Sequence, residues 1–224
     1  MYRFFKRFID ILVSLVALPF VLLVVLCSAP VIYLTDKGPV FYNAERKGKD
    51  GKIFKMYKLR SMYVNAPNIK NSDGSTFNSA NDPRVTRVGK FLRKTSLDEF
   101  PQFFNVLIGD MSLIGPRPTL PGKSIPVNEM DEIRRKRYSV RPGITGYAQA
   151  YYRNSITQDE KFMHDAYYVD NLSFVLDVKV IFKTVLSVIG QKNIHVSDAP
   201  VPMLQQPVTV TSVQEEQREP AQVK

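Results

Sequence analysis

No charged residue interrupts residues 11–34, ILVSLVALPFVLLVVLCSAPVIYL. As a helix rising about 1.5 Å per residue, this run reaches roughly 36 Å, enough to cross the hydrocarbon core of a bilayer. A chain that carries it puts part of itself into lipid. The run is too long for the apolar core of a cleaved leader, and the Lys-rich sequence after it reads as a continuing domain, so the segment is expected to be retained.

The flanks limit how it enters the membrane. Arg3, Lys6 and Arg7 precede it, and Lys37, Arg46, Lys47, Lys49 and Lys52 follow it. Basic residues favour the cytoplasmic side, and a simple span cannot put both flanks there. A re-entrant hairpin satisfies both, with Pro19 or Pro30 breaking the helix by removing a backbone donor and Ser14 or Ser28 serving the freed carbonyls. A true span with one flank outside the rule is the alternative. Asp10 follows Lys6 by four residues and Arg7 by three, and reads as a surface ion pair on the helix.

The chain has 224 residues, which suits one medium domain with appendages. Its formal charge is +10, and residues 199–224 hold Glu215, Glu216 and Glu219 against Arg218 and Lys224, so the tail is −1 and the body +11. A basic body points to nucleic acid, anionic lipid or a phosphate-bearing substrate. No nucleic-acid-binding motif is present, which leaves lipid and phosphate. Cys27 is the single cysteine and lies in the apolar run, which rules out an internal disulfide or a cysteine metal site. His164 and His195 are far apart in sequence and give no zinc pattern.

Short alternation at residues 39–42 and 52–58 predicts two strands joined by a turn at Lys49, Asp50 and Gly51. Residues 65–83 read as a long polar loop, either a lid or a tolerated insertion. Helices are expected over 84–93 and 96–107, followed by irregular Gly/Pro stretches at 109–122 and 141–146. Residues 173–189 form a second apolar helix with Asp177, Lys183, Thr184 and Ser187 along one side, suited to lying on a membrane or to a core. Residues 199–224 carry no periodicity and read as a disordered tail.

Chemistry concentrates in RKTSLDEFPQFFNVLIGD and the following MSLIGPRP, residues 93–118. Ser96 and Glu99 match a capping box, and acids in a first helical turn favour the helix dipole, so spacing alone supports a purely structural role for Asp98 and Glu99. The chemical reading is that Asp98, near a helix N-terminus and Arg93, stays ionised and acts as a nucleophile toward phosphorus. Glu99 would then bind a divalent metal, with magnesium suited to bridging phosphate oxygens. Arg93, Arg117, Arg141 and Arg153 offer bidentate clamps for the same oxygens, or serve as solvated charges.

Three motifs taken together, KIFKMYKLRSM at residues 52–62, TSLDEFPQFFNVLIGDMSLIGPRP at 95–118 and VRPGITGYAQ at 140–149, resemble the bacterial sugar transferase family. These are the monotopic polyprenyl-phosphate phosphoglycosyl transferases. The resemblance runs from Tyr2 to about His195 and includes the Lys-Gly-Pro-Val turn at residues 37–40. It departs in the membrane helix, where Leu18-Pro19 and Ala29-Pro30 stand in place of the Ser-Pro pair of many members.

The resemblance implies a predominantly α fold with a small β-hairpin (α+β), a re-entrant membrane helix over residues 1–36 and interfacial amphipathic helices. A catalytic domain at the cytoplasmic face of the bacterial inner membrane would span 37–198. It implies a UDP-sugar donor, magnesium, and undecaprenyl or a related polyprenyl phosphate as acceptor. Asp98 would be the nucleophile and Glu99 the metal ligand, with Lys58, Arg60 and Arg93 as phosphate contacts and Arg117 at the nucleotide pyrophosphate. Arg141, Thr145, Gln149, Asp165 and Tyr168 match further motifs of the substrate site. A non-catalytic lipid-binding scaffold and a phosphohydrolase built on the same carboxylates are the competing readings. Sugar identity, glycan pathway and oligomeric state, a homodimer included, are open.

Overall fold

The computed structural model describes residues 2–67, 69, 77, 79, 81–121, 126–153 and 155–190. The tail at 199–224 and most of the polar stretch at 65–83 lie outside the described residues. The apolar run forms α1 (Tyr2–Asp36), 35 residues that stay helical through both Pro19 and Pro30. At about 1.5 Å per residue it is roughly 52 Å long. The expected break is therefore not an interruption of helical backbone, although each proline still leaves a carbonyl, of Leu15 and of Leu26, without its usual donor. Most of α1 is exposed apolar surface, with Phe20, Leu22, Leu23 and Leu26 each about 60% exposed.

Both ends of α1 are fastened to the same body. At the first end Tyr2 Oη and Lys6 Nζ donate to Asp177 Oδ2 at 2.5 and 2.7 Å, and Arg7 donates to the carbonyls of Val106 and Leu107 at 2.6 and 3.1 Å. At the other end Ile32 packs with Leu59 and Leu92, and Asp36 receives Arg60. Asp10 is not the surface ion pair expected: it is 3% exposed and accepts the Leu113 N–H at 3.0 Å. Lys6 and Arg7 have found tertiary acceptors instead of their neighbour on the helix.

The predicted hairpin is present as β1 (Ala44–Lys47) and β2 (Ile53–Met56), antiparallel, with Ala44 opposite Met56 and Lys47 opposite Ile53. Asp50 and Gly51 turn the chain with φ of 55° and 76°. The first strand lies later than the alternation at 39–42 suggested, and that earlier stretch contributes a single bridge, Phe41 to Leu59.

Helix α2 (Arg87–Thr95) starts three residues later than expected because Thr86 caps it, accepting the Gly89 N–H. Arg84 instead forms a buried ion pair with Asp82 at 2.7 Å. Helix α3 (Gln102–Ile108) is shorter than predicted. The residues before it turn once as a 3-10 helix, Leu97–Glu99, preceded by Ser96 in the left-handed region at φ 59°. Ser96 closes α2 through its own N–H and makes no side-chain cap, so the capping-box reading does not hold.

Sequence patterning did not foresee β3 (Ser112–Ile114) and β4 (Gly143–Thr145), a parallel pair in register Ser112 to Gly143. Glycine makes this approach possible: a Cβ on Gly143 would meet Gly115 N at 2.1 Å, and one on Gly115 would meet Arg141 O at 2.4 Å. Helices α4 (Glu132–Lys136), α5 (Tyr147–Tyr151), α6 (Gln158–Asp170) and α7 (Phe174–Ile189) follow. On helix α7 the acid is buried and much of the apolar surface is not: Asp177 is buried beside Val180, while Phe174, Val175, Val178, Ile181, Phe182 and Val185 are exposed along with Lys179 and Lys183. That is the reverse of a helix on the surface of a water-soluble domain and suits contact with lipid.

Candidate active site

The turn carrying Asp98 and Glu99 is held against the strand segment after β2. Leu59 N–H donates to the Asp98 carbonyl at 3.0 Å. The buried side chain of Asn105 on α3 accepts the Tyr57 N–H at 2.9 Å and donates to the Lys55 carbonyl at 2.7 Å. These bonds fix Lys58 over the acidic turn, with Nζ 2.9 Å from Glu99 Oε1 and 3.4 Å from Asp98 Oδ2. Arg117 approaches from the loop after β3, and its Nη2 lies 2.9 Å from the same Glu99 oxygen.

Two further guanidiniums border the group. Arg93 at the end of α2 donates to Ser61 Oγ at 2.8 Å, and its charge acts on Asp98. Arg46 on β1 is close enough to Arg117 that burial and this like charge together lower its affinity for the proton. Three cations, Lys58, Arg93 and Arg117, therefore act on two carboxylates, with Arg46 beyond Arg117. A surplus of positive charge in a partly enclosed site is suited to a pyrophosphate.

The two acids differ in their protonation. Asp98 is 7% exposed, and burial raises its pKa, opposed by Lys58 and reinforced by the Glu99 charge. Of the two influences expected to keep Asp98 ionised, Arg93 does act on it, whereas the N-terminus of α3 does not reach it, since α3 begins only at Gln102; Lys58 is the larger countering charge. Glu99 is driven the other way: burial raises it, but Arg117 and Lys58 outweigh burial and hold it well below the usual carboxylate range.

Glu99 Oε1 takes both cations, and Oε2 has no partner among the described residues. No three His, Cys, Asp or Glu side chains converge among the described residues. The donor set fits an ion held by one or two carboxylates together with substrate oxygens, the way magnesium is commonly bound.

The other sequence-derived candidates divide. Arg60 is 7% exposed and spent on Asp36, with Nη1 and Nη2 each 2.6 Å from a carboxylate oxygen, so it latches α1 rather than offering itself to phosphate. Tyr168 is 1% exposed and donates to Asp177 Oδ1 at 2.7 Å, inside the network that also holds Tyr2 and Lys6. Thr145 pairs with Thr184 of α7 at 2.8 Å, and the Gln149 amide donates to the Ile144 carbonyl at 3.5 Å. Arg153 follows α5 in the left-handed region, and Arg141 donates to the Gly109 carbonyl at the far end of α3. None of these touches Asp98 or Glu99 directly.

Asp165 reaches the site through others. It forms a buried ion pair with Arg137 at 2.9 Å, and Arg137 Nη2 donates to the Arg117 carbonyl at 2.8 Å. The Arg117 backbone is thus fixed while its guanidinium meets Glu99. Arg137, Asn105, Ser61 and Arg46 were missed by sequence reasoning, because their roles depend on contacts between distant segments. The Pro-flanked Arg117 was the nearest signal to them.

The family model described as bacterial sugar transferase matches residues 1–191. A UDP-N-acetylgalactosamine-undecaprenyl-phosphate N-acetylgalactosaminephosphotransferase of Aeromonas hydrophila is 42% identical over 194 residues, covering 84% of this chain and 44% of its own. A UDP-glucose:undecaprenyl-phosphate glucose-1-phosphate transferase of Klebsiella pneumoniae is 42% identical over 186 residues, covering 81% of this chain and 39% of its own. An uncharacterized sugar transferase of Bacillus subtilis (strain 168), EpsL, is 39% identical over 190 residues and is covered over 90% of its length. The chain thus spans less than half of the first two relatives and nearly all of the third. With the match extending from α1 through α7, the chain belongs to the bacterial sugar transferase family.

Proposed function

We propose that this chain moves a sugar 1-phosphate from a UDP-sugar to undecaprenyl phosphate or a related polyprenyl phosphate, at the cytoplasmic face of the bacterial membrane, as the first step of glycan assembly. The observation that carries the reading is Lys58 bridging Asp98 and Glu99, with Arg117 on Glu99 and the charge of Arg93 acting on Asp98. The names of the Aeromonas and Klebsiella relatives support the donor and acceptor classes.

In this reading an Asp98 carboxylate oxygen attacks the phosphorus bonded to the sugar. The bond from that phosphorus to the bridging oxygen breaks, UMP leaves, and an aspartyl phosphosugar forms. An oxygen of the lipid phosphate then attacks the same phosphorus and displaces the Asp98 carboxylate, giving polyprenyl-diphosphate-sugar. Arg117 and Arg46 hold the pyrophosphate, and Lys58 and Arg93 favour the ionised form of Asp98 against its burial. Glu99 is the residue that would hold magnesium, which when bound would neutralise charge on the transferring phosphoryl group. The attachment of both ends of α1 supports membrane re-entry: a simple span would put its ends on opposite faces, whereas both ends grip one body.

The test is incubation of the membrane-bound chain with a panel of UDP-sugars, magnesium and polyprenyl phosphate. The proposal expects UMP and a lipid-linked sugar in equal amounts. Release of free sugar phosphate would indicate a hydrolase, and no UMP with any donor would leave a lipid-binding scaffold.

A further inference from the structure

A second cationic cavity, of about 150 Å³, lies at the foot of α1 and shares no lining residue with the Asp98 turn. Arg3, Lys6, Arg7, Lys49 and Arg141 line it, together with the buried Ser112, whose hydroxyl lies beside the Asp10 carboxylate. Its one carboxylate, Asp10, is buried and already accepts the Leu113 N–H. Lys6 is neutralised by Asp177, and Lys49 has only a loose, exposed contact with Asp50 at 3.8 Å. Arg3, Arg7 and Arg141 have no carboxylate within ion-pair distance among the described residues.

One helix end aims two of these guanidiniums. The last carbonyls of α3, from Val106 and Leu107, take Arg7 at 2.6 and 3.1 Å, and Gly109 just beyond takes Arg141 Nε at 2.7 Å. Carbonyls at a helix C-terminus attract cations, and here they hold two like charges side by side, leaving both terminal nitrogens of Arg141 without a hydrogen bond among the described residues. Such a fork matches the oxygens of a phosphate. The cavity also sits at a polar boundary: Phe4 and Phe8, on the same turns as Arg3 and Arg7, are 85% and 60% exposed. Helix α3, roughly 10 Å long, separates this cavity from the acidic turn.

We propose that this cavity is a binding site for a phosphate-bearing anion, separate from the transfer centre, with the guanidinium of Arg141 as the fork, Arg7 adding charge beside it, and Arg3 and Lys49 at the rim. The chemistry is shared by the headgroup of an anionic phospholipid and by free phosphate. The proposal does not depend on the transferase reading.

The experiment titrates the full detergent-solubilised chain by calorimetry with dihexanoyl-phosphatidylglycerol below its micelle concentration and, separately, with inorganic phosphate. Saturable binding is expected. The double variant Arg3→Gln, Lys49→Gln should weaken it about thirtyfold, given roughly 1 kcal/mol for each of the two basic residues at a membrane surface. Arg117→Gln should leave this binding unchanged. Both rim residues are exposed, and the charge-preserving pair Arg3→Lys, Lys49→Arg should retain affinity, which separates loss of charge from loss of fold. Tighter binding of the phospholipid identifies a headgroup site, and equal or tighter binding of phosphate identifies a free-anion site. No saturable binding of either probe, or an unchanged dissociation constant in the double variant, would overturn the proposal.

Discussion

Asp36, the last residue of α1, receives both terminal nitrogens of Arg60 at 2.6 Å, and Arg60 stands two residues after the lysine that bridges Asp98 and Glu99. The end of the apolar helix is thus tied to the strand segment that aims Lys58. Asp36→Ala would leave a guanidinium that is only 7% exposed without its carboxylate, at a cost of about 2–3 kcal/mol. Chemical denaturation should show that loss, with lowered transfer activity beside it. Unchanged stability would mean that the latch carries no weight.

Asp98→Asn should abolish UMP release yet raise thermal stability at neutral pH. The folded pKa of Asp98 is raised by burial. Its stabilising contribution is therefore complete below the ordinary aspartate value of roughly 3.9 and is lost as pH rises through the folded value. At neutral pH the wild type bears the cost of a buried charge that asparagine lacks, so the gap in melting temperature should narrow on acidification. For the same reason the acid limb of activity should lie above the ordinary aspartate range.

Glu99→Gln should lose both activity and stability. The pKa of Glu99 is depressed, burial being outweighed by Arg117 and Lys58, so its contribution is present at neutral pH and lost as pH falls below the ordinary glutamate range. Paired melting curves for the two acid variants should move in opposite directions at pH 7.

Arg137→Met tests a positioning role. Arg137 joins Asp165 to the Arg117 carbonyl without touching either catalytic acid. A misplaced Arg117 should weaken donor binding, so KM for the UDP-sugar should rise about tenfold, with the Asp98-dependent acid limb in the same place. A change in stability alone, with KM intact, would assign Arg137 to packing.

Gly143→Ala should destabilise the chain by about 1–3 kcal/mol, because the added methyl has backbone of Gly115 at 2.1 Å and no flexible side chain to displace. Equilibrium unfolding measures it directly.

What the sequence disclosed depended on the range of each signal. The apolar run and the hairpin were legible because both are local patterns, and Asp50 and Gly51 marked the turn. The parallel pair β3 and β4 was not, since each strand has three residues and the close contact depends on glycines in two separate motifs. Ser96 and Glu99 spelled a capping box, but Ser96 was already needed to end α2 and could not also begin α3. Arg60 resembled a phosphate ligand by its place beside Lys58, and only the folded chain brings Asp36 to it. The acidic turn with Lys58, Arg93 and Arg117 was found through ordered motifs, whereas Arg46, Asn105 and Arg137 became visible only as tertiary contacts.

The most direct test of the central claim is intact-mass spectrometry of the chain incubated with UDP-sugars and magnesium in the absence of lipid phosphate. The account predicts one added sugar phosphate per chain, located at Asp98, with an equal amount of UMP and no adduct in Asp98→Asn. Continuous UMP release without an adduct, or an undiminished adduct in Asp98→Asn, would contradict it.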